Sequence, residues 1–575
     1  MPRSRITRLL LPVGLVLVAA LAGLGWWAKR HGKAWLDRKV EARVQEIIDR
    51  ACVPGYSFTM ESLDADAVHG SLHVVHANLR FEPGLQDSLK AGAYHYLFAA
   101  EVDTIALRGL SFWRLLLRGE FNVDAVVVSK PRFHYYTGPG HVDLADPFNR
   151  LAGTDDGTLV RLLYADTIRV HHAGAIVQNE AWRLPALHVD GLDLECRGAN
   201  IHAARTRSGV RLAIGDAHIH VDSIGAWLSD GSRLQVGSIS LERNGGKGLI
   251  NNVRITPAPL DSTDRTALRT TRVALTVDSI TLRGLDLDRS ISDEALRIQR
   301  TGLYNLRIAA ALDKTRPEPP FRTVMLPAMA LDSLPFAIRL DTLDLFRADI
   351  VYREREPRTG RWGEVPFQEV DGRFTGITNE EELKAQGTRL KGNLRFRIFG
   401  SGPATATYSA ALDGSNRFTV DAEVPDLALT RIDPLTRALL RMEVRSGELH
   451  RLHLHMEGND DRAKGSLAMY YTDLRFGVEP GTPAEVRHSL FGNVLDAMIS
   501  QTYGGGISAD SERNFSVDRA KDRSVLTYAW HGVREGLLRN LVPEAKERMR
   551  TMLRTDLDRL KEQKALRKER KASSR

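Results

Sequence analysis

The sequence has few cysteines and none of the common catalytic motifs. Only Cys52 and Cys196 occur among 575 residues, and neither belongs to a CxxC pair or to a Cys/His zinc spacing. This count excludes a disulfide-built scaffold, and it leaves open whether the two thiols are paired or free. The motifs GxSxG, HExxH and GxxxxGK[ST] are also absent. We therefore expect a protein without enzyme activity, cofactor or bound metal.

Three histidines, His450, His453 and His455, lie in the stretch LHRLHLHM. Alternate residues of a strand share a face, so His453 and His455 are expected side by side. No carboxylate or third ligand is spaced to complete a metal site with them, and we expect solvent-facing strand histidines. The segment NGGKG at Asn244–Gly248 lacks the spacing of a phosphate-binding loop, and it is predicted to be a hairpin turn.

One long apolar segment lies near the N-terminus. Leu9–Trp27 contains no charged residue and follows Arg3, Arg5 and Arg8. At about 1.5 Å per residue, this segment is long enough to cross a bilayer. A cleaved secretory signal is the alternative, but the apolar run continues past its small residues into a tryptophan pair, which favours an uncleaved anchor. The predicted anchor residues are Leu9, Leu15, Leu17, Trp26 and Trp27.

The net charge of +8 is concentrated at the two ends of the chain. Residues 1–39 and residues 534–575 each sum to +7, which leaves −6 for the part of the chain between them. A mildly acidic body with two basic ends does not fit nucleic-acid binding. Basic residues beside apolar helical stretches instead suit anionic lipid headgroups. We expect a single-pass membrane protein whose body lies on the non-cytoplasmic side.

From about Tyr56 onwards, apolar and polar residues alternate for most of the chain. Short runs such as SLHVVHANLRF, FNVDAVVV and NLRFRIF are separated by Gly, Asp, Asn or Pro. Strands without intervening helical patterns predict a mainly β protein with an antiparallel or solenoid-like sheet. The apolar face of such a sheet must be covered by a second sheet, a helix or lipid, and both a closed core and an open groove fit the alternation.

Two octapeptides mark an internal repeat. DTIALRGL at Asp103–Leu110 and DSITLRGL at Asp278–Leu285 are identical at six of their eight positions. Three further pairs of matching segments occur in the same order and at nearly the same offset. Four collinear matches predict a repeated β unit of roughly 175–180 residues.

Within each octapeptide the phase of the alternation changes twice. The Asp-Thr/Ser and Arg-Gly pairs suit turns, because Asp and hydroxyl residues bond locally to the backbone and glycine accepts positive φ. We therefore interpret the octapeptide as a corner between strands rather than as a catalytic motif. The predicted apolar face comprises Ile105, Leu107, Leu110, Ile280, Leu282 and Leu285.

The C-terminal part departs from the β pattern. Ala484–Tyr503 places apolar residues four apart and predicts an amphipathic helix. RSVLTYAWHG at Arg523–Gly532 is predicted to be a last strand. Val533–Leu566 predicts a second amphipathic helix with a strongly basic side. A solvated basic face is the first interpretation, and contact with the membrane or another envelope protein is the alternative.

Two stretches resemble the AsmA-like family of bacterial envelope proteins. Leu72–Tyr136 is similar to the family's N-terminal repeat, with a strand, a step of the form DxIxLxGLSFxxLLxG and then xVDxVxVxxPxF. Val424–Phe476 is similar to its C-terminal portion, SGxLxxLxL followed by GxLxxxYxDL. The resemblance implies an inner-membrane anchor and a periplasmic body that forms an elongated, curved, groove-like sheet.

The resemblance also implies a function. Larger family members have an apolar groove and are implicated in moving phospholipid towards the outer membrane or in outer-membrane homeostasis, and the family carries no catalytic residues. We therefore expect phospholipid as the ligand and a Gram-negative-type envelope as the location. A structural scaffold with a closed β body and a partner-binding C-terminal helix is the alternative, and an exported hydrolase is a third, weaker one.

The predicted organisation has seven parts. They are a cytoplasmic stub (1–8), the anchor (9–27), a juxtamembrane helix (28–55), β repeat 1 (56–235), β repeat 2 with the C-terminal AsmA-like portion (236–482), an amphipathic helix with a last strand (483–532) and a basic helical tail (533–575).

Overall fold

The computed structural model describes most of the chain after Gly55. The described residues are Ala42, 55–66, 68–92, 96–111, 120–138, 162–179, 185–203, 210–213, 215–228, 230–259, 268–287, 295–321, 323–357, 359–478, 507–523 and 525–541. The predicted anchor, the predicted helix at Ala484–Tyr503 and the tail after Leu541 lie outside these residues. Within them, no helix combines the length and the apolar composition that a membrane span requires.

The described chain is mainly β, as predicted, and it divides into two compact units between Ile250 and Asn251. The strands of unit 1 are β1 (Tyr56–Thr59), β2 (Ser62–Asp66), β3 (Ser71–Phe81), β4 (Tyr96–Arg108), β5 (Glu120–Ser129), β6 (Arg132–Thr137), β7 (Leu162–Asn179), β8 (Pro185–Ala203), β9 (Val210–Ala213), β10 (Asp216–Trp227), β11 (Arg233–Val236) and β12 (Ser238–Glu242), and β13 (Lys247–Thr256) crosses the division.

The strands of unit 2 are β14 (Thr271–Arg283), β15 (Ala295–Tyr304), β16 (Arg307–Asp313), β17 (Ala337–Arg355), β18 (Trp362–Thr378), β19 (Arg389–Ile398), β20 (Ala404–Ala411), β21 (Phe418–Ala428), β22 (Met442–Gly458), β23 (Arg462–Val478) and β24 (Ile507–Asp518). The helices are α1 (Pro83–Lys90) in unit 1 and α2 (Pro327–Asp332), α3 (Glu381–Ala385), α4 (Asp433–Leu440) and α5 (Val525–Leu541) in unit 2, with a 3₁₀ turn at Leu429–Ile432.

The strand pairing is mixed, which corrects the predicted antiparallel or solenoid-like arrangement. Most neighbours are antiparallel, but β5 and β6 pair in parallel with β7, and β15 and β16 pair in parallel with β17. Parallel neighbours need a long connection that crosses over. In unit 2 this connection runs from Asp313 to Ala337, and its proline-rich first part carries no helical periodicity that would have revealed the crossover.

The strand pairings of β4–β7 recur in β14–β17. Each paired residue of unit 1 is separated from its counterpart in unit 2 by the same number of residues that separates the two octapeptides. The pairs Thr104–Ser129, Ser129–His171 and Arg132–Gly174 recur as Ser279–Tyr304, Tyr304–Phe346 and Arg307–Asp349. The two units therefore contain the same supersecondary arrangement, built from sequences that differ at most positions.

Irregular residues recur at the same offset. Lys130 and Asn305 have φ of 47° and 53°. Lys130 separates β5 from β6, which both pair with β4, and Asn305 separates β15 from β16, which both pair with β14. His172 and Arg347, both at φ 52°, sit where β7 and β17 shift register against their neighbours. Such bulges bend a strand and increase its twist.

The predicted strand at Arg523–Gly532 is wrong, because this stretch opens helix α5. Val, Thr, Tyr and Trp gave the segment a high β propensity, and Gly532 resembled a terminating glycine. Tertiary packing overrides both signals. Tyr528 is 2% exposed and lies in the main core of unit 2, with its ring centroid 5.8 Å from that of Phe418.

Candidate functional site

One cross-strand row of unit 1 is aliphatic on all eight strands that it crosses. Residues directly opposite each other in a sheet point to the same face, so the row belongs to a single face. At ~4.8 Å between strands, the row runs for about 34 Å across them. Its members are Leu63, Val74, Ile105, Val128, Val170, Leu194, Ile219 and Leu241.

A second apolar row runs beside the first on the same face, displaced by two residues along each strand. Its members are Ala65, Leu72, Leu107, Val126, Ile168, Cys196 and Ala217. We call the two rows together the apolar strip of unit 1. Cys196 is a free, buried thiol within it, and burial raises the pKa of this thiol. Cys52 lies outside the described residues.

The opposite face of the same strands is largely polar. The row between the two apolar rows consists of Asp64, His73, Ala106, Val127, Arg169, Glu195, His218 and Glu242. Arg169 and Arg197 contact the carboxylate of Glu195 at 3.4 and 3.3 Å. The hydrogen bond from Arg197 lowers the pKa of Glu195, and the charge of Arg169 adds to this effect. Over these three rows, the sheet of unit 1 is therefore amphipathic, with the charged side chains on one face.

The described chain covers the first apolar row only in part. Val74 is buried at 7% exposure, whereas the other seven residues of that row are half-buried. Aliphatic side chains inside a closed protein core are normally packed on all sides. The row thus retains apolar surface that a further apolar group can cover.

Unit 2 contains the equivalent row. Ile280 occupies the register position of Ile105 and belongs to this row, which crosses nine strands. Leu282 occupies the register position of Leu107, outside this row. Its members are Ile280, Leu303, Leu345, Gly372, Leu394, Ala406, Ala422, Leu454 and Leu467.

The last two residues of the unit 2 row are more deeply buried than its first two. Ile280 and Leu303 are half-buried, whereas Leu454 is 4% exposed and Leu467 is fully buried. The difference arises from helix α5, which packs on β23 and β24 and joins Tyr528 to the core around Leu467. Leu467 therefore belongs to the core beneath α5, whereas Ile280 and Leu303 are half-buried against a second core around Leu345 and Ala348.

Leu110 and Leu285 lie at the end of each octapeptide, after a glycine with positive φ. Gly109 and Gly284 have φ of 69° and 66°, and the two leucines are 3% and 8% exposed. Leu110 packs with Leu72 and the end of the strip, and its N–H donates to the carbonyl of Gly70 at 2.8 Å. The glycine thus turns the chain so that the following leucine reaches the apolar face.

Of the six predicted face residues, only Ile105, Leu107 and Ile280 belong to the rows described above. Ile105 and Leu107 lie on one face of β4, but the sequence did not reveal which residues oppose them. Val128, Val170 and Leu194 show the same alternation on their own strands. Their membership of one row depends on the pairing register and on the parallel pair β5–β7, and neither can be derived from alternation alone.

His455 and His450 of the stretch LHRLHLHM have separate partners. His455 contacts Asp421 at 2.6 Å, and its pKa is raised chiefly by that hydrogen bond. His450 lies 2.9 Å from the hydroxyl of Thr472. Across the described residues, no group of three His, Cys, Asp or Glu side chains is placed to hold a metal ion.

Comparison with known proteins gives no identification: the chain matches no protein-family model and no curated protein.

Proposed function

We propose that this chain is a non-enzymatic, membrane-anchored protein of the AsmA-like type, whose apolar strip binds the acyl chains of phospholipid. The observation that carries the proposal is the eight-strand aliphatic row through Ile105, seven of whose residues are only half-buried. Covering apolar surface contributes about 25 cal/mol per Å². An acyl chain laid across the strands can cover this row without any polar partner.

The amphipathic sheet also supports this proposal. Acyl chains offer no hydrogen bonds, so a lipid-binding face must lack unpaired polar groups. The two rows of the strip contain only Ala, Val, Ile, Leu and Cys, and the row on the opposite face contains the charges. We further propose that the bulges at His172 and Arg347 help to curve the sheet, so that the apolar strip of unit 1 and the row of unit 2 each line a groove.

From the resemblance, we propose that Leu9–Trp27 anchors the chain in the inner membrane and that the body lies in the periplasm. In that location, the strip would transport phospholipid or support outer-membrane homeostasis, and the basic C-terminal helix would contact the membrane or another envelope protein. A reporter fused to the C-terminus tests the orientation. Activity of a reporter that works only in the cytoplasm contradicts the proposed location.

A closed structural scaffold is the second candidate function, and the fully buried Leu467 beneath α5 favours it for one end of unit 2. The two candidates differ in unit 1. A scaffold requires that the strip around Ile105 contacts protein in the cell, whereas a lipid-binding protein requires that it contacts acyl chains.

Val127 and Val128 provide a matched test. They are adjacent residues of β5: Val127 lies in the polar row, and Val128 lies in the apolar row. We would introduce a photoreactive phenylalanine at each position of the full-length protein in a Gram-negative-type host. Lipid adducts, detected by mass spectrometry, are expected at position 128 and not at position 127. Protein adducts alone at position 128 would favour the scaffold.

A further inference from the structure

Helix α5 lies on the sheet through residues spaced four apart. Tyr528, Gly532, Gly536 and Asn540 form one stripe down the helix, and each contacts the β-sheet core or its backbone. Asn540 donates a hydrogen bond of 2.9 Å to the carbonyl of Leu467, and its own oxygen accepts one of 2.7 Å from Ser511. The stripe covers β23, which is the last strand of the unit 2 row, and the neighbouring strand β24.

The two glycines allow an unusually close approach. A Cβ atom at Gly536 would lie 2.6 Å from the Cβ of Leu467. At Gly532 it would lie 3.0 Å from the ring of Phe515 and 3.1 Å from the sulfur of Met456. The backbone of α5 therefore contacts the apolar side chains of Leu467, Phe515 and Met456 directly. It occupies the space that an apolar ligand would need in order to contact them.

The closed position is costly for the helix in two ways. Glycine is the weakest helix former after proline, and α5 contains two glycines in its interior. In addition, the hydroxyl of Tyr528 is buried without a hydrogen-bond partner, although water would satisfy it if the helix moved away. Contact with the sheet, rather than intrinsic helix stability, holds α5 in place.

The surface under α5 belongs to the same row as residues that are only half-buried. Leu454 and Leu467 belong to the same row as Ile280 and Leu303, which are half-buried. We propose that α5 is a displaceable cover, and that acyl chains of phospholipid compete with it for Leu454 and Leu467. This inference rests on the proposed lipid-binding function and adds a regulated end to the unit 2 row.

Two variants of the full-length protein would hold the cover open or shut. Gly536→Leu places a side chain against Leu467 and should displace α5. Its matched control is Trp530→Leu, because Trp530 is 48% exposed on the same helix. Ser511→Cys with Asn540→Cys replaces a hydrogen-bonded pair and should lock the helix when oxidised, and the same protein reduced with dithiothreitol is its control.

Each protein would be reconstituted in vesicles of phosphatidylethanolamine and phosphatidylglycerol containing a diazirine-labelled phosphatidylethanolamine. After illumination, peptides carrying lipid adducts would be quantified by mass spectrometry. We expect Gly536→Leu to raise adducts on β22 and β23 by roughly threefold or more, and the oxidised lock to reduce them below the wild-type level. Adducts on β4, β5 and β7 of unit 1 should not change.

The two proposals fail in different ways. Unit 1 adducts in every variant, with β22 and β23 adducts independent of the lock and of Gly536→Leu, would overturn the cover. Absence of adducts on both units in every variant would overturn lipid binding and the cover together. If lipid adducts appear only in Gly536→Leu and only on its strands β22 and β23, the result would support the cover and contradict lipid binding by unit 1. Circular dichroism would show that each variant retains its β structure.

Discussion

The main-chain N–H of His172 donates a hydrogen bond of 2.9 Å to a carboxylate oxygen of Asp193 on the neighbouring strand. Unit 2 repeats this contact, because the N–H of Arg347 donates to Asp371 at the same distance. Both donors are bulge residues at φ 52°. The bulge disrupts the regular ladder, and the aspartate supplies the acceptor that the ladder lacks there.

Asp193→Ala and Asp371→Ala should each lower the free energy of unfolding by about 1 kcal/mol, because each removes a charge-assisted acceptor at a partly exposed site. Asp→Asn should lose less, since the amide oxygen still accepts. Denaturant titration measures both. Equal losses for Asn and Ala would show that the hydrogen bond to the bulge contributes nothing.

Gly109→Ala should destabilise unit 1 by about 2 kcal/mol or more, because positive φ strains alanine and its Cβ would overlap the side chain of Asp124. Gly92→Ala is the matched control, since Gly92 has φ 77° with nothing within 4 Å of the added Cβ. It should show the backbone strain alone, about 1 kcal/mol. Thermal melting compares the two, and equal losses would contradict a role for Asp124.

Val128→Lys should abolish lipid labelling of unit 1, because a charge in the apolar row cannot be covered by an acyl chain without a large desolvation cost. Val127→Lys, on the polar face of the same strand, should leave the labelling within about twofold of the wild-type level. The diazirine-lipid assay measures both variants. A similar loss for both lysines would mean that unfolding, rather than the strip, accounts for the effect.

Acidification should weaken the docking of α5 through His531. Burial lowers the pKa of this imidazole, and the nearby cations of Arg534, Lys314 and Arg523 lower it further. The unfolded chain therefore takes up the proton first, so the contribution of neutral His531 is present above about pH 6.5 and is lost as the pH falls below it.

The test compares wild-type protein with His531→Gln. Between about pH 7.5 and about pH 5.5, the wild type should lose more thermal stability than the variant. Comparing the two cancels the opposite contribution of His455, whose raised pKa makes its pairing with Asp421 favourable at low pH and lost as the pH rises. Identical pH profiles would show that His531 does not couple protonation to α5.

Local alternation predicted the β class and the face of Ile105 and Leu107, because side-chain direction follows residue parity on any strand. It could not predict that Ile105 joins Val128 and Val170 in one row, since that requires the long-range parallel pair β5–β7. The helix at Tyr528 was also beyond local reasoning. Its glycines fit a helix only because the side chains of Leu467 and Phe515 occupy the adjacent space.

The constant offset between the two units means that corresponding segments have equal numbers of residues as well as the same strand pairing. From Thr104 to Gly174 and from Ser279 to Asp349, every pairing keeps the same displacement, and this span includes the crossover before β7 and β17. Copies of a common ancestral unit that keep this register have gained or lost no net residue there while most side chains changed. The crossover therefore has the same number of residues in both units, although most of those residues differ.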